Sequence, residues 1–476
     1  MKKRLIAMLL LVVMLMSVTA LAGCGGDETK VEKSADYTVP EAGFNPDEAV
    51  TITFTHTMGA KLQEVLNNYI TEFNKIYPNI TIEHVSAGGW SDINGQVNTE
   101  IAGGTQPNIA YCYPDHVAMY NIAKAVVVLD NLIASDKAIG DTGEIIGLTQ
   151  EQKDDFIKSY YDEGLAYGDN KMYTMPLNKS TEVLYYNKTF FDENGLTVPT
   201  TWDELWTVCE QIKAIDPTCF PLGYDAEDNW FITLCEQNKT GYTTASSDDH
   251  YLFNNDANKA MVKELREKYQ AGLFTTQELY GGYTSSLFTN QDTSAARSYM
   301  CIGSSGGASY QMSNSDTGDG SFAFEVGVAA IPQADNSNRK VISQGPSLCI
   351  LQGGNTTDQQ ILASWLFVKF LCTNVEFQAE FSMASGYMPV LNSVTENENY
   401  AAWLEKANGY EQLVATCVKV GLEGRNDYFV SPAFNGSSTA RQQVGSMLVK
   451  CLSAQTDDVD ALINETFEDA ITECEY

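Results

Sequence analysis

From Val50 to Tyr113 the chain alternates between two hydrophobic periods, and this alternation limits the possible fold more than any other feature. Val50-Thr51-Ile52-Thr53-Phe54-Thr55 puts apolar residues at every second position, the period of a strand with one buried face. Leu62, Val65, Leu66, Tyr69, Ile70, Phe73 and Ile76 then follow helical spacing, which Pro78-Asn79 breaks. Ile80 to Val85 is a second strand, and Ile93, Val97 and Ile101 predict a helix that ends at Gly103-Gly104. Asn108 to Tyr113 completes the series as a third strand. A βαβαβ order predicts a mainly parallel sheet with helices on both faces.

The same rhythm resumes later. Glu182 to Tyr186, Phe324 to Ile331 and Ser347 to Leu351 read as strands, the second stopped by Pro332. Thr201 and Glu204 have capping-box spacing, in which each side chain satisfies a backbone N–H at the helix start, and Thr357 and Gln360 repeat it before the apolar run Ile361 to Leu371. Another helix runs from about Val375 to Gly386, and two more are expected around 439–453 and 457–471. A chain of 476 residues is too long for one core, so two lobes are expected.

The N-terminus carries an address. Met1-Lys2-Lys3-Arg4 is basic, and Leu5 to Ala22 is uncharged and apolar. Length alone leaves a membrane span and a secretory signal both open. Leu21-Ala22-Gly23-Cys24 resembles a lipobox, which implies cleavage before Cys24 and lipidation of its thiol. Residues 24–49 read as a polar, flexible tether. The formal charge of −33 argues against nucleic acid or anionic lipid as a partner. Besides Cys24 there are ten scattered cysteines with no C-x-x-C; buried packing is their commonest role, and Cys209 with Cys219 is one candidate disulfide. The four dispersed histidines, His56, His84, His116 and His250, form no metal pattern, and no metal or cofactor is expected. No G-x-S-x-G elbow, Walker loop, H-E-x-x-H or Rossmann fingerprint is expected, which favours a binder over a secreted carbohydrate-active enzyme.

Several motifs, in their order and spacing, resemble family-1 extracellular solute-binding proteins of ABC importers, especially the carbohydrate and glycerol-3-phosphate binders. These are His56-Thr57-Met58-Gly59, Ala102 to Asn108, Leu184-Tyr185-Tyr186-Asn187-Lys188, Val198 to Leu205, and Gly386-Tyr387-Met388-Pro389-Val390. The resemblance implies an α/β, type II periplasmic-binding-protein-like fold of two lobes, each a mainly parallel sheet flanked by helices. It assigns 50–174 and 326–371 to the N-terminal lobe, and 175–325 and 372–476 to the C-terminal lobe. It also implies a membrane permease as partner, and capture of a sugar or oligosaccharide by hinge closure, with a polyol phosphate as the alternative ligand.

The resemblance further marks ligand-binding candidates, each of which also has a plain structural reading. Trp90, in a loop after Gly88-Gly89, can stack on a sugar's C–H face. Asp115 follows the third strand, where α/β sheets bind ligands; it can accept two hydroxyls or simply cap a helix. Ser180 and Thr181 match a hydroxyl pair, while Ser304, Ser305 and Gly345 lie in turns where backbone can approach a ligand. Tyr387 sits in the Gly-Tyr-Met-Pro loop. Arg441 matches an arginine that grips phosphate in the glycerol-3-phosphate binders, though a guanidinium also binds vicinal hydroxyls or makes ordinary ion pairs.

Overall fold

A computed structural model of the chain describes residues 36–475 apart from 141, 248, 291, 293, 313–321 and 407–408. Cys24, the apolar N-terminal run and the first part of the expected tether lie outside the described residues. Within them, no helix is long and apolar enough to cross a membrane.

Two five-stranded sheets organise the molecule. The first runs, edge to edge, Ile80–Ser86, Val50–His56, Ile109–Cys112, Ser347–Ile350 and Met175–Pro176. The second runs Phe274–Thr276, Leu222–Tyr224, Met300–Ser304, Glu182–Asn187 and Val326–Ala330. Each sheet is mainly parallel, with one of its five strands reversed. Val50–His56 pairs in parallel with both neighbours, but Ser347–Ile350 is antiparallel to Ile109–Cys112. In the second sheet Glu182–Asn187 is antiparallel to both of its neighbours. The cause is the route of the chain. A strand entering from the other lobe starts at the inter-lobe edge, so it runs against strands that end there: Ser347 faces Cys112, and Glu182 faces Ser304.

Sheet membership and packing move four of the expected boundaries. Met175–Pro176 belongs to the first sheet, so the first departure begins at 177 rather than 175. Val326–Ala330 belongs to the second sheet, so the return to the first lobe spans 331–346. The helix Val375–Ser385 packs on Ala60–Ile76 of the first lobe, with the Tyr69 and Phe377 rings 5.2 Å apart, so the last departure comes later than residue 372. Gly409–Glu423 already packs on the second lobe, against Val326–Ala330. Finally, residues 36–49 are not free tether. Asp36 bridges to Val128, Phe44 is buried against Tyr77, and Gln359 clasps both the Asn45 N–H and the Gly43 carbonyl.

Local chemistry accounts for the helices. Both expected capping boxes form: Glu204 N–H donates to Thr201 Oγ1 at 3.3 Å and Gln360 N–H to Thr357 Oγ1 at 3.2 Å, with reciprocal bonds back from the side chains. Gly386, at φ +80°, ends the helix Val375–Ser385 in the left-handed conformation a side chain disfavours. In the first lobe Phe54, Phe73 and Phe367 pack edge to face. In the second, fully buried Trp230 stacks on Tyr224 at 4.4 Å. All ten cysteines from Cys112 onward are buried free thiols, so Cys209 and Cys219 are unpaired.

The two nearest crossings, 177–181 and 331–346, are locked side by side. Ser180 and Gln344 exchange backbone hydrogen bonds, both at 2.9 Å. Gly345 has φ +90°, and a Cβ there would meet the backbone of Asn178, Lys179 and Ser180 at 2.8 Å, so only glycine lets the segments touch. Beneath them Lys179, fully buried, pairs with Glu163 and donates to Ser347 Oγ at 3.0 Å. Glu163 also accepts from Ser343 Oγ at 3.0 Å.

Candidate ligand-binding cleft

The carboxyl ends of the first-lobe strands face the second lobe, and the first-lobe helix Pro114–Ile122 abuts the second-lobe helix Ser437–Ser453. Trp90 is the first residue of the helix Trp90–Gly103 rather than a loop residue, because Gly89 is the cap and Asp92 accepts the Gly89 N–H at 2.8 Å. Its indole lies nearly parallel to Tyr111 at 6.1 Å and meets Tyr113 at 4.4 Å, forming an aromatic wall. Asp115 sits in the first turn of Pro114–Ile122, whose cap is Tyr113, so it is not a capping residue.

Across the cleft, Arg441 is 29 % exposed and its guanidinium is engaged. One nitrogen donates to Asp228 Oδ2 at 3.0 Å and to Asn229 Oδ1; the other reaches Ser431 Oγ at 3.5 Å. Burial works against its charge, but the carboxylates of Asp228 and Asp115 more than compensate and hold its proton more tightly. Asp115 and Arg441, on opposite lobes, thus act on each other. Both also act on Tyr113 and His116. The Tyr113 hydroxyl is raised by burial and Tyr387, against the Gly345 backbone and Arg441. His116 is lowered by burial, with Asp115 opposing and Arg441 adding. Burial pushes the Tyr387 hydroxyl up to about 12, and its ring caps Gly306, where a Cβ would lie 3.1 Å from it.

Trp90, Asp115, Gly345, Tyr387 and Arg441 therefore converge on one inter-lobe neighbourhood through Tyr113, with the Ser304–Ser305 turn beside it. The hydroxyl candidates are engaged within the protein. Thr181 Oγ1 donates to the Ile342 carbonyl at 2.9 Å, Ser304 Oγ accepts from Gly306 N–H at 3.2 Å, and Ser305 Oγ accepts from Thr181 N–H at 3.3 Å. Ser180 is buried in the crossing. Contrary to the expectation of no G-x-S-x-G elbow, Gly303 to Gly307 has that spacing. Ser305 is fully buried, however, and no histidine among the described residues hydrogen-bonds to it.

The sequence reading missed Tyr113, Asp228, Asn229 and Glu182. Tyr113 directly precedes the Pro114-Asp115 pair, and that adjacency was the available signal. Glu182 begins a strand and is 1 % exposed. Tyr224 donates to its Oε2 at 2.6 Å. Burial, with Asp228 adding, pushes its carboxyl up to about 8, against Tyr224, Asn229 and Arg441.

Residues 68–408 match the family described as bacterial extracellular solute-binding protein. The chain belongs to that family. The sn-glycerol-3-phosphate-binding periplasmic protein of Rhizobium meliloti is 25% identical over 388 residues, 77% of this chain and 81% of that one. The multiple sugar-binding protein of Streptococcus mutans is 28% identical over 182 residues, a stretch covering 38% of each chain. Among solved structures, the GacH receptor of Streptomyces glaucescens, studied with acarbose, aligns with a TM-score of 0.66 at 16% identity, over 90% of this chain and 99% of that one. These structural likenesses establish the two-lobe fold. As a family member the chain is a solute-binding protein of ABC transport, acting outside the cytoplasm.

Proposed function

We propose that this chain captures a neutral sugar or oligosaccharide between its lobes and delivers it to an ABC permease, anchored to the extracellular face of the cytoplasmic membrane by lipid on Cys24. The observation that carries the choice of ligand is the state of Arg441. Its guanidinium is already bonded to Asp228 and Asn229 and lies in the field of Asp115. A phosphate would have to displace Asp228 and would approach two carboxylates, whereas sugar hydroxyls can join the network as donors and acceptors. Trp90 and Tyr113 supply the apolar faces on which a pyranose ring rests. Closure follows from contacts that only the two lobes together complete.

The second reading, a polyol phosphate, is favoured by relatives named for glycerol-3-phosphate. A thermal-shift screen of neutral sugars against glycerol-3-phosphate and glycerophosphocholine separates the two, because a ligand that binds only the folded state raises its melting temperature. Stabilisation by a sugar, with no product formed on long incubation, supports the proposal. Stabilisation by the phosphates alone selects the second reading, and turnover of an oligosaccharide makes the protein an enzyme.

A further inference from the structure

The second lobe holds a cavity that is not part of the cleft. It has a volume of about 460 Å³, within the roughly 300–1,000 Å³ range of small-molecule sites. Three helices wall it: Trp202–Ile215, Glu227–Asn238 and Asp256–Gln270. Its lining includes the indoles of Trp202 and Trp206 and the Met261 thioether. Polar lining comes from Asp203, Glu264, Asn238, Thr201 and Thr240, and no lysine or arginine lines it. Gln333 and Ala334, in the crossing between the lobes, close one side.

The state of the polar groups is more telling than the volume. Trp202 donates its indole N–H to Gln237 at 2.8 Å, as a buried tryptophan should. Trp206 is only 6 % exposed, yet its N–H has no acceptor among the described residues, and it lines the cavity. The Asp203 and Glu264 carboxylates are exposed and likewise have no ion-pair partner among the described residues. Asn238 donates to the Leu234 carbonyl at 2.8 Å, which leaves its oxygen free to accept.

One open donor beside an aromatic surface, ringed by open acceptors and no cation, is the complement of a ring that carries hydroxyls. Each hydroxyl can donate to a carboxylate or amide oxygen and accept from the indole N–H, while the ring's C–H face covers the indole. An anion would meet two carboxylates and no positive charge. We propose that this cavity is a second binding site, for an uncharged polyhydroxylated ring, on the second lobe.

The test uses the full-length mature protein labelled with 15N at its tryptophan indoles, of which the chain has six. The Trp206 signal is the one missing in Trp206→Phe. It is followed during titration with glucose and with maltose at millimolar concentrations. The expected result is a saturable shift of that signal with at least one sugar, retained in the cleft variant Trp90→Ala/Asp115→Ala and absent with glycerol-3-phosphate. Glu264→Gln, an exposed substitution that spares the fold, should weaken the interaction about tenfold, the scale of one hydrogen bond to a charged group. A Trp206 signal that neither sugar moves overturns the proposal, as does a shift that disappears in the cleft variant. Failure of the cleft reading would appear separately, as unchanged sugar affinity of that variant in calorimetry.

Discussion

Replacing Lys179 with methionine tests whether the hinge rests on a buried ion pair. Lys179 and Glu163 have 0 % and 3 % of their side chains exposed, so neither charge is screened by water. Lys179→Met removes the ammonium together with its bond to Ser347 Oγ at 3.0 Å, and leaves Glu163 as a buried carboxylate without a counter-ion. Removing one partner of such a pair costs about 3–5 kcal/mol. Glu163 would keep two hydroxyl donors, Ser343 and Ser347, each at 3.0 Å, which places the expected loss near the lower end, about 3 kcal/mol. The double variant Lys179→Met/Glu163→Leu removes both charges and should recover most of that loss. Equilibrium unfolding in urea measures all three proteins. A single-variant loss below about 1 kcal/mol would show that the pair behaves as a solvent-screened one, because surface pairs cost that little. A double variant no more stable than the single one would show that the unpaired carboxylate is not what destabilises.

In the cleft, Trp90→Ala and Asp115→Ala should each weaken ligand binding by roughly 1–3 kcal/mol with little effect on folding, and Arg441→Lys should weaken it clearly because lysine lacks the planar fork; calorimetry with wild-type affinity in all three would put the site elsewhere. Acid should destabilise the first lobe through His56. Its Nδ1 accepts the Met58 N–H at 3.1 Å, its Nε2 faces His84 at 2.9 Å, and burial, with His84 adding, lowers it to about 4 from 6.5. The unfolded chain therefore takes up a proton more readily than the folded one. The stability is complete above pH 6.5 and is lost as pH falls toward 4, by about 2 kcal/mol at pH 5; His56→Gln should flatten that part of the pH–stability curve, and an unchanged slope would count against the assignment. Cys24→Ser should leave an unprocessed precursor or shed soluble protein, and an unmodified Cys24 in the mass spectrum of the native protein would refute anchoring.

Local periodicity made most elements legible. The strands near residues 50, 80 and 109, the two capping boxes and the stop at Gly386 all follow from short-range chemistry. The mainly parallel sheets were legible as well, but the one reversed strand in each was not, because a βαβαβ rhythm says nothing of strands that enter from another lobe. Ser347–Ile350 is antiparallel for that reason, and nothing within Val326–Ala330 distinguishes one sheet from the other. Phe44 could likewise be recognised as core only once Tyr77 stood beside it. The cleft was half legible. Trp90, Asp115, Tyr387 and Arg441 were marked by motif position, and they converge. Asp228 and Glu182 could not be picked out among 62 acidic residues, since only folding brings the first to Arg441 and buries the second. The hydroxyls of Thr181, Ser304 and Ser305 match a ligand pattern by position, and the fold adds what position could not show: their hydrogen bonds hold the crossing and the turn together.

Capture by closure requires a small ligand to draw the two lobes together around Tyr113, Asp115, Tyr387 and Arg441. Small-angle X-ray scattering of the mature protein, with and without a ligand identified by the thermal-shift screen, tests it most directly. A smaller radius of gyration is expected at saturation, and no such change in Trp90→Ala/Asp115→Ala at the same ligand concentration. A radius that stays the same in the saturated wild-type protein would contradict capture by closure.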